Sequence, residues 1–324
     1  MTSLLQARQR VEISNKERAP MARFAVDNVR NVALVGHGGS GKTTLADHML
    51  FAAGKNSRAG CVDEGNSLLD TEDEEKTRKH SIVSAVAHFD SGDVRVNLID
   101  VPGMPDFVGQ GMGALRAVDT AIIVIDAHSG IAANTRKFFK YAGDAGVARM
   151  IVINRCDHEN INFDGLVNTI REMFGPACSL FNVPVGLGHD LTGVVSTLDK
   201  SAAPAGAVMN PQEAGQQVID AAVEWDEGLM ERYLESGQLT PEELAGAIGH
   251  AIADGSLIPI FCTAAKSGIG VKELIDGIVR YAPSPTAIVR TAKRGGPTLR
   301  YCPTRRDRSS RRCSRPASTR LSRR

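Results

Sequence analysis

The chain has 324 residues, 42% of them apolar, enough to bury a core as one large domain or two ordinary ones. Its 38 Lys and Arg balance 37 Asp and Glu, but the stretch from Pro303 onward holds nine Arg against one Asp, so the rest carries 29 basic and 36 acidic residues and any attraction to nucleic acid or membrane must be local. No apolar run approaches the roughly 18 residues of a membrane span, the start lacks a secretion-signal stretch, and six scattered cysteines form no CxxC pair, so a cytoplasmic protein with no membrane partner is expected.

Residues 1–24 are polar, rich in Arg, Lys and Glu, and expected to be a mobile extension. Runs crowded with β-branched residues then predict strands over Asn31–Gly36, Ser81–Phe89, Val94–Asp100, Thr120–Asp126, Arg149–Asn154 and Ser256–Thr263. Several are apolar on both faces, which suits a mostly parallel sheet covered by helices on both sides. Helical patterns fall between them, over Thr43–Ala53, Ala132–Ala145 and Val271–Tyr281. From Phe174 to Ser256 the alternation stops, and residues 175–255 read as an α+β insertion into a single α/β domain spanning 25–290. Within it, Thr240, Pro241 and Glu243 mark a helix start: a capping side chain, a first-turn proline and a carboxylate reaching back. Residues 291–324 turn to Arg, Ser, Thr and Pro and are expected to be disordered.

The chemistry begins at Gly36-His37-Gly38-Gly39-Ser40-Gly41-Lys42-Thr43, a GxxxxGKT loop between a predicted strand and a predicted helix. In that setting backbone amides close around phosphate oxygens, Lys42 reaches the β and γ phosphates, and the Thr43 hydroxyl ligates Mg²⁺, with Thr44 opening the helix. The fold class is therefore a P-loop NTPase. Asp100 ends the Val94 strand in DVPG, where its carboxylate can hold Mg²⁺ through water and the Gly103 amide can meet the γ phosphate. Alone, DxxG is weak, because turns use it constantly. Two further strands end in Asn154-Arg155-Cys156-Asp157 and in Cys262-Thr263-Ala264-Ala265-Lys266, at the edge where open sheets bind ligands. Asp157 can accept from guanine N1–H and its 2-amino group, and an amide near Ala264 can donate to O6, which selects GTP and GDP over ATP.

These motifs, in this order and with a long insertion before the last, resemble a translational GTPase of the elongation factor G type, from about Arg30 to Pro285. DVPGMPDF is similar to that family's DTPGHVDF, VPVGLGHDLTGVV to its LPIG…GVVDL, and ADGSLIPIFCTAAKSGIGVKELID to its final βα unit. The GHGGSGKT loop resembles the elongation factor G-like paralogues still more closely. The resemblance implies a G domain with an inserted subdomain, GTP, GDP and Mg²⁺ as ligands, and the ribosome as partner, with nucleic acid contacted only through ribosomal RNA.

Departures from the family pattern matter as much. RKHSI stands where the family has RGITI, so Ser81 either supplies the metal-gripping hydroxyl or begins a strand while Thr77 or nothing serves the metal. Met104 occupies the place of the water-orienting His, and a thioether cannot orient water, so hydrolysis is expected to be slow, with His37 as a substitute or simply a packing residue. Gly39 replaces an Asp, and Arg155 replaces the Lys that lies along the base, a change a planar guanidinium tolerates. The family continues into further domains, absent here, and the Arg-rich end reads either as a frameshift product or as an arm for ribosomal RNA. Three functions follow: a slow GTPase connected with translation, a non-hydrolysing guanine-nucleotide-binding module, or a truncated frameshift product without translocation activity.

Overall fold

The computed structural model describes residues 24–199, 204–224, 226–236, 239–288, 290–293 and 298–301. Apart from Phe24, the N-terminal extension lies outside the described residues, as does the Arg-rich stretch beyond residue 301. A short 3₁₀ turn leads into β1 (Val29–Gly36) and α1 (Lys42–Ala52), followed by α2 (Asp73–Arg78), β2 (Ala85–Ser91) and β3 (Val94–Asp100). Next come α3 (Val108–Leu115), β4 (Thr120–Asp126), α4 (Ala133–Asp144), β5 (Ala148–Asn154) and α5 (Phe163–Phe174). The expected insertion contains β6 (Cys178–Leu180), β7 (Asn182–Val185), β8 (Gly193–Ser196), α6 (Pro211–Val223), α7 (Glu227–Ser236) and α8 (Pro241–Asp254). The chain returns to the sheet with β9 (Ile258–Cys262) and α9 (Val271–Tyr281). Where an unstructured tail was expected, β10 (Arg290–Lys293) and β11 (Thr298–Tyr301) pair antiparallel.

The seven-stranded sheet runs β2-β3-β1-β4-β5-β9-β6. Only β2 is antiparallel to its neighbour. Strand β4 is buried at every position, as the unbroken apolar run TAIIVID requires of a central strand. Alternate residues feed two cores. Val32, Leu34, Ile122, Val124, Met150 and Val152 pack under α1, α8 and α9, whereas Ala33, Val35, Ile123, Ile125, Ile151 and Ile153 pack under α3, α4 and α5. Removing one such fully buried side chain, as in Ile123→Ala, costs about 2–5 kcal/mol.

Because β1, β3, β4, β5 and β9 run parallel, their carboxyl ends share one edge, with Leu34 beside Asp100, Gly36 beside Val124, Asp126 beside Asn154 and Ile153 beside Cys262. Within the expected insertion, β6 joins this same sheet, which three residues without alternation could not announce. Helix α8 starts as read: Thr240 Oγ1 accepts the Glu243 N–H at 3.3 Å while Glu243 Oε2 accepts the Thr240 N–H at 3.1 Å. The one strand misplaced by the sequence is the second. Ser81 to Ser84 are not strand, because the amides of Ile82 and Val83 bond to the Glu75 carboxylate at 2.8 and 3.0 Å and that of Ser84 to Gln110, leaving no ladder until Ala85.

Candidate functional site

The loop from Gly36 to Lys42 turns tightly between β1 and α1, and its geometry explains its glycines. Gly39 and Gly41 take left-handed φ values of 80° and 83°. A β-carbon on Gly41 would lie 2.5 Å from Asn154 Nδ2, and one on Gly103 would meet the Lys42 ammonium and come within 2.6 Å of the Gly38 amide nitrogen. The two loops therefore pack backbone to backbone. Lys42 is buried, and its Nζ donates to the His37 carbonyl at 2.8 Å, which also accepts from the Ser40 hydroxyl at 3.0 Å. Burial lowers the Lys42 pKa to about 8 against the opposing pull of Asp100.

At the first turn of α1, Thr43 Oγ1 donates to Asp100 Oδ2 at 2.7 Å and lies 3.0 Å from Ser81 Oγ, which donates to Asp70 Oδ1 at 2.7 Å. Two hydroxyls thus sit between two buried carboxylates. Burial pushes Asp100 up to about 7, with Lys42 and Thr43 opposing and Asp70 and Asp47 adding to it. Burial also raises Asp70. Asp100 Oδ1 and Asp70 Oδ2 are buried without a hydrogen-bond partner. This is a set of hard oxygen donors with unspent lone pairs, whose chemistry fits a magnesium ion. The location of Ser81 favours a place beside Thr43 over a role as the first residue of a strand, whereas Thr77 lies on α2 and bonds its own helix at the Asp73 carbonyl.

At the far end, Asn154 is buried and joins three segments. Its Nδ2 donates to the Ser40 carbonyl at 3.0 Å, and its Oδ1 accepts from Thr263 Oγ1 at 3.1 Å and from the Ala265 amide at 3.0 Å. Arg155 has φ 65° and pairs with Asp126 Oδ2 at 2.8 Å, which places its head at the end of β4. Of the amides near Ala264, that of Ala264 itself is bonded to the Ile269 carbonyl at 2.9 Å, because this loop closes a bridge with residue 269, and that of Ala265 to Asn154 Oδ1.

A cavity of about 580 Å³ spans the edge. Gly38, Gly39, Gly41, Lys42, Thr43 and Thr44 line one end, Ser81, Gly103 and Met104 flank it, and Asn154, Arg155, Asp157 and Ala265 line the other. Of the remaining sequence-selected residues, Gly36, Ser40, Asp100, Thr263 and Ala264 are buried behind that wall, and His37 stands with them. His37 Nδ1 is buried without a partner. The segment 59–64 and Lys79 to Ser81 roof the cavity.

Sequence reasoning missed several contributors. Asp70 and Asp47 hide within ordinary acidic and helical stretches. Glu75 pins the roof. Burial raises its pKa, but backbone N–H donors outweigh that and leave it below the usual carboxylate range. Asn134, buried on α4, donates to the Gly103 carbonyl at 2.9 Å and fixes that loop. No motif marks these positions, since each acts through a fold contact.

Residues 27–284 match the family model described as the elongation factor Tu GTP binding domain. Among solved structures, a protein from Thermus thermophilus is 33% identical and superposes with a TM-score of 0.74, over 80% of this chain and 41% of that one. The chain thus spans about two fifths of that protein's length. Among the described residues no helix is long and apolar enough to cross a membrane.

Proposed function

The chain belongs to the elongation factor Tu GTP-binding domain family, and from that premise we propose that it binds GTP and GDP with Mg²⁺, hydrolyses GTP slowly and works in connection with translation, as an elongation factor G-like protein would. The observation that carries this reading is one cavity lined at one end by Lys42 and Thr43 of a glycine loop and at the other by Asp157. The loop amides and Lys42 bind the phosphates, and Arg155, steadied by Asp126, supplies a planar face beside the purine. Asp157 accepts the two guanine donors that adenine lacks. Thr43, Ser81, Asp100 and Asp70 would hold the ion, whose chemistry when bound is to neutralise charge developing on the β and γ phosphates. Gly103 presents its amide at the γ end, and Asn134, donating to the Gly103 carbonyl, anchors the peptide that follows it.

A second reading, a guanine-nucleotide module that does not turn over, is favoured by Met104, which lines the γ end of the cavity where the family places a water-orienting His. For the first reading, the resemblance implies the ribosome as partner. Equilibrium binding of radiolabelled GTP, GDP and ATP, with and without Mg²⁺, followed by phosphate release with and without ribosomes, tests both. Guanine-selective, Mg²⁺-dependent binding supports the first claim and ribosome-stimulated release the second. Equal affinity for ATP would overturn the reading.

A further inference from the structure

Asp47 lies on α1 one turn beyond Thr43, at i+4, so both side chains leave the same face of the helix. It is wholly buried, has no cationic partner in an ion pair among the described residues, and spends its bonding on the loop outside α1. Oδ1 accepts the Leu68 N–H at 3.1 Å, while Oδ2 is buried and unpartnered. The Gly60 backbone presses on the same carboxylate, so that a β-carbon there would fall 2.6 Å from Oδ2. One side chain thereby touches the loop at two points. The next residues extend the connection: Ser67 Oγ accepts the amides of Leu69 and Asp70 at 3.2 and 3.3 Å, and Asp70 Oδ1 in turn holds Ser81, whose hydroxyl meets Thr43. The path leaves α1 at Asp47 and returns to it at Thr43.

We propose that Asp47 is a positioning residue that seats residues 66–70, and through them Ser81, beside Thr43 at the γ end of the nucleotide; this rests on the reading of the cavity as a GTP site. Burying a carboxylate without a cation is costly for packing alone, and its hydrogen bonding here goes to the Leu68 amide and the adjoining Ser67 hydroxyl of the loop that leads to Ser81. Because GDP ends at the β phosphate, loosening this loop weakens GTP selectively.

The test measures dissociation constants for a non-hydrolysable GTP analogue and for GDP, each with Mg²⁺, alongside hydrogen exchange of the 66–70 amides. Asp47→Ala and Ser67→Ala are expected to lose about tenfold for the analogue and less than about twofold for GDP, with faster exchange in 66–70. Asp47→Asn, which keeps an acceptor for Leu68, restores most of the loss. Equal losses for the two nucleotides, or none, overturn the inference, and Ser67→Ala gives the answer if Asp47→Ala does not fold. Failure of the unaltered chain to bind either nucleotide overturns the GTP reading and this inference with it.

Discussion

Met104 lays its thioether against Gly38 so closely that a β-carbon on that glycine would fall 2.7 Å from Sδ. The residue is nevertheless 37% exposed and borders the cavity that Lys42 and Asp157 line. Sulfur there neither donates to water nor accepts usefully from it. Met104→His should therefore raise single-turnover GTP hydrolysis by roughly 10- to 100-fold, with GTP affinity changing less than about threefold. Phosphate-release kinetics after rapid mixing provide the measurement. An unchanged rate would mean that residue 104 does not face the attacking water.

Lys42 spends its buried ammonium on the His37 carbonyl within its own loop. A triphosphate offers that ammonium a better, oppositely charged partner. Lys42→Ala is expected to weaken GTP and GDP by at least about 100-fold, since a buried charge-assisted contact is worth roughly 3 kcal/mol. Calorimetry on both nucleotides checks it, with circular dichroism as the control for folding. Retention of tight binding would remove the loop from the site.

Asp100 gives the pH dependence. Its pKa is pushed from 3.8 to about 7, chiefly by burial. Between these values the folded, metal-free protein holds a proton that the unfolded chain has released, so this group's contribution to stability is full at low pH and lost as pH rises through 7. Lys42, lowered to about 8, acts above that window. Asp100→Asn should leave urea stability nearly unchanged at pH 4 and raise it by on the order of 1–2 kcal/mol at pH 7.5 in the absence of metal. The converse pattern, a benefit confined to acid, would show that Asp100 is ionised throughout.

Asn154 offers a structural counterpart. Three bonds from one buried amide tie the glycine loop to the loop after β9. Asn154→Ala leaves the Ser40 carbonyl and the Ala265 amide unpaired and is expected to cost about 3 kcal/mol, read as a lowered urea midpoint. A loss below about 0.5 kcal/mol would mean the loops hold together without it.

The parts of this site visible in the sequence are those where the backbone itself does the work. Gly41 and Gly103 are obligatory because neighbouring atoms fill the space of a β-carbon, and Asn154 is needed where three loops meet, so residue type and spacing carried the information. Asp47, Asp70 and Glu75 were not visible, because a carboxylate in a helix or a polar loop is ordinarily solvated and only the tertiary contact distinguishes them. The misread start of β2 has the same origin. Ile82 and Val83 have strand-forming side chains, but their amides are taken by Glu75 from an adjacent helix, a competition that local propensity cannot register.

Asp157 lies half-exposed in the cavity wall just past β5. A carboxylate offers two acceptors to guanine, matching its N1–H and 2-amino donors, whereas an Asn offers one acceptor and one donor, matching xanthine, whose 2-position is an oxygen. Asp157→Asn should weaken GTP by about 100-fold and strengthen XTP by a similar factor, the scale of one buried donor-acceptor mismatch removed and another created. Competition between labelled GTP and unlabelled XTP measures both at once. The swap isolates base reading because Asn154, which builds the loop, makes its bonds to Ser40, Thr263 and Ala265 and none through residue 157. A variant that loses GTP without gaining XTP would place the guanine edge against the 265–266 loop alone, with Asp157 acting only on the loop's conformation.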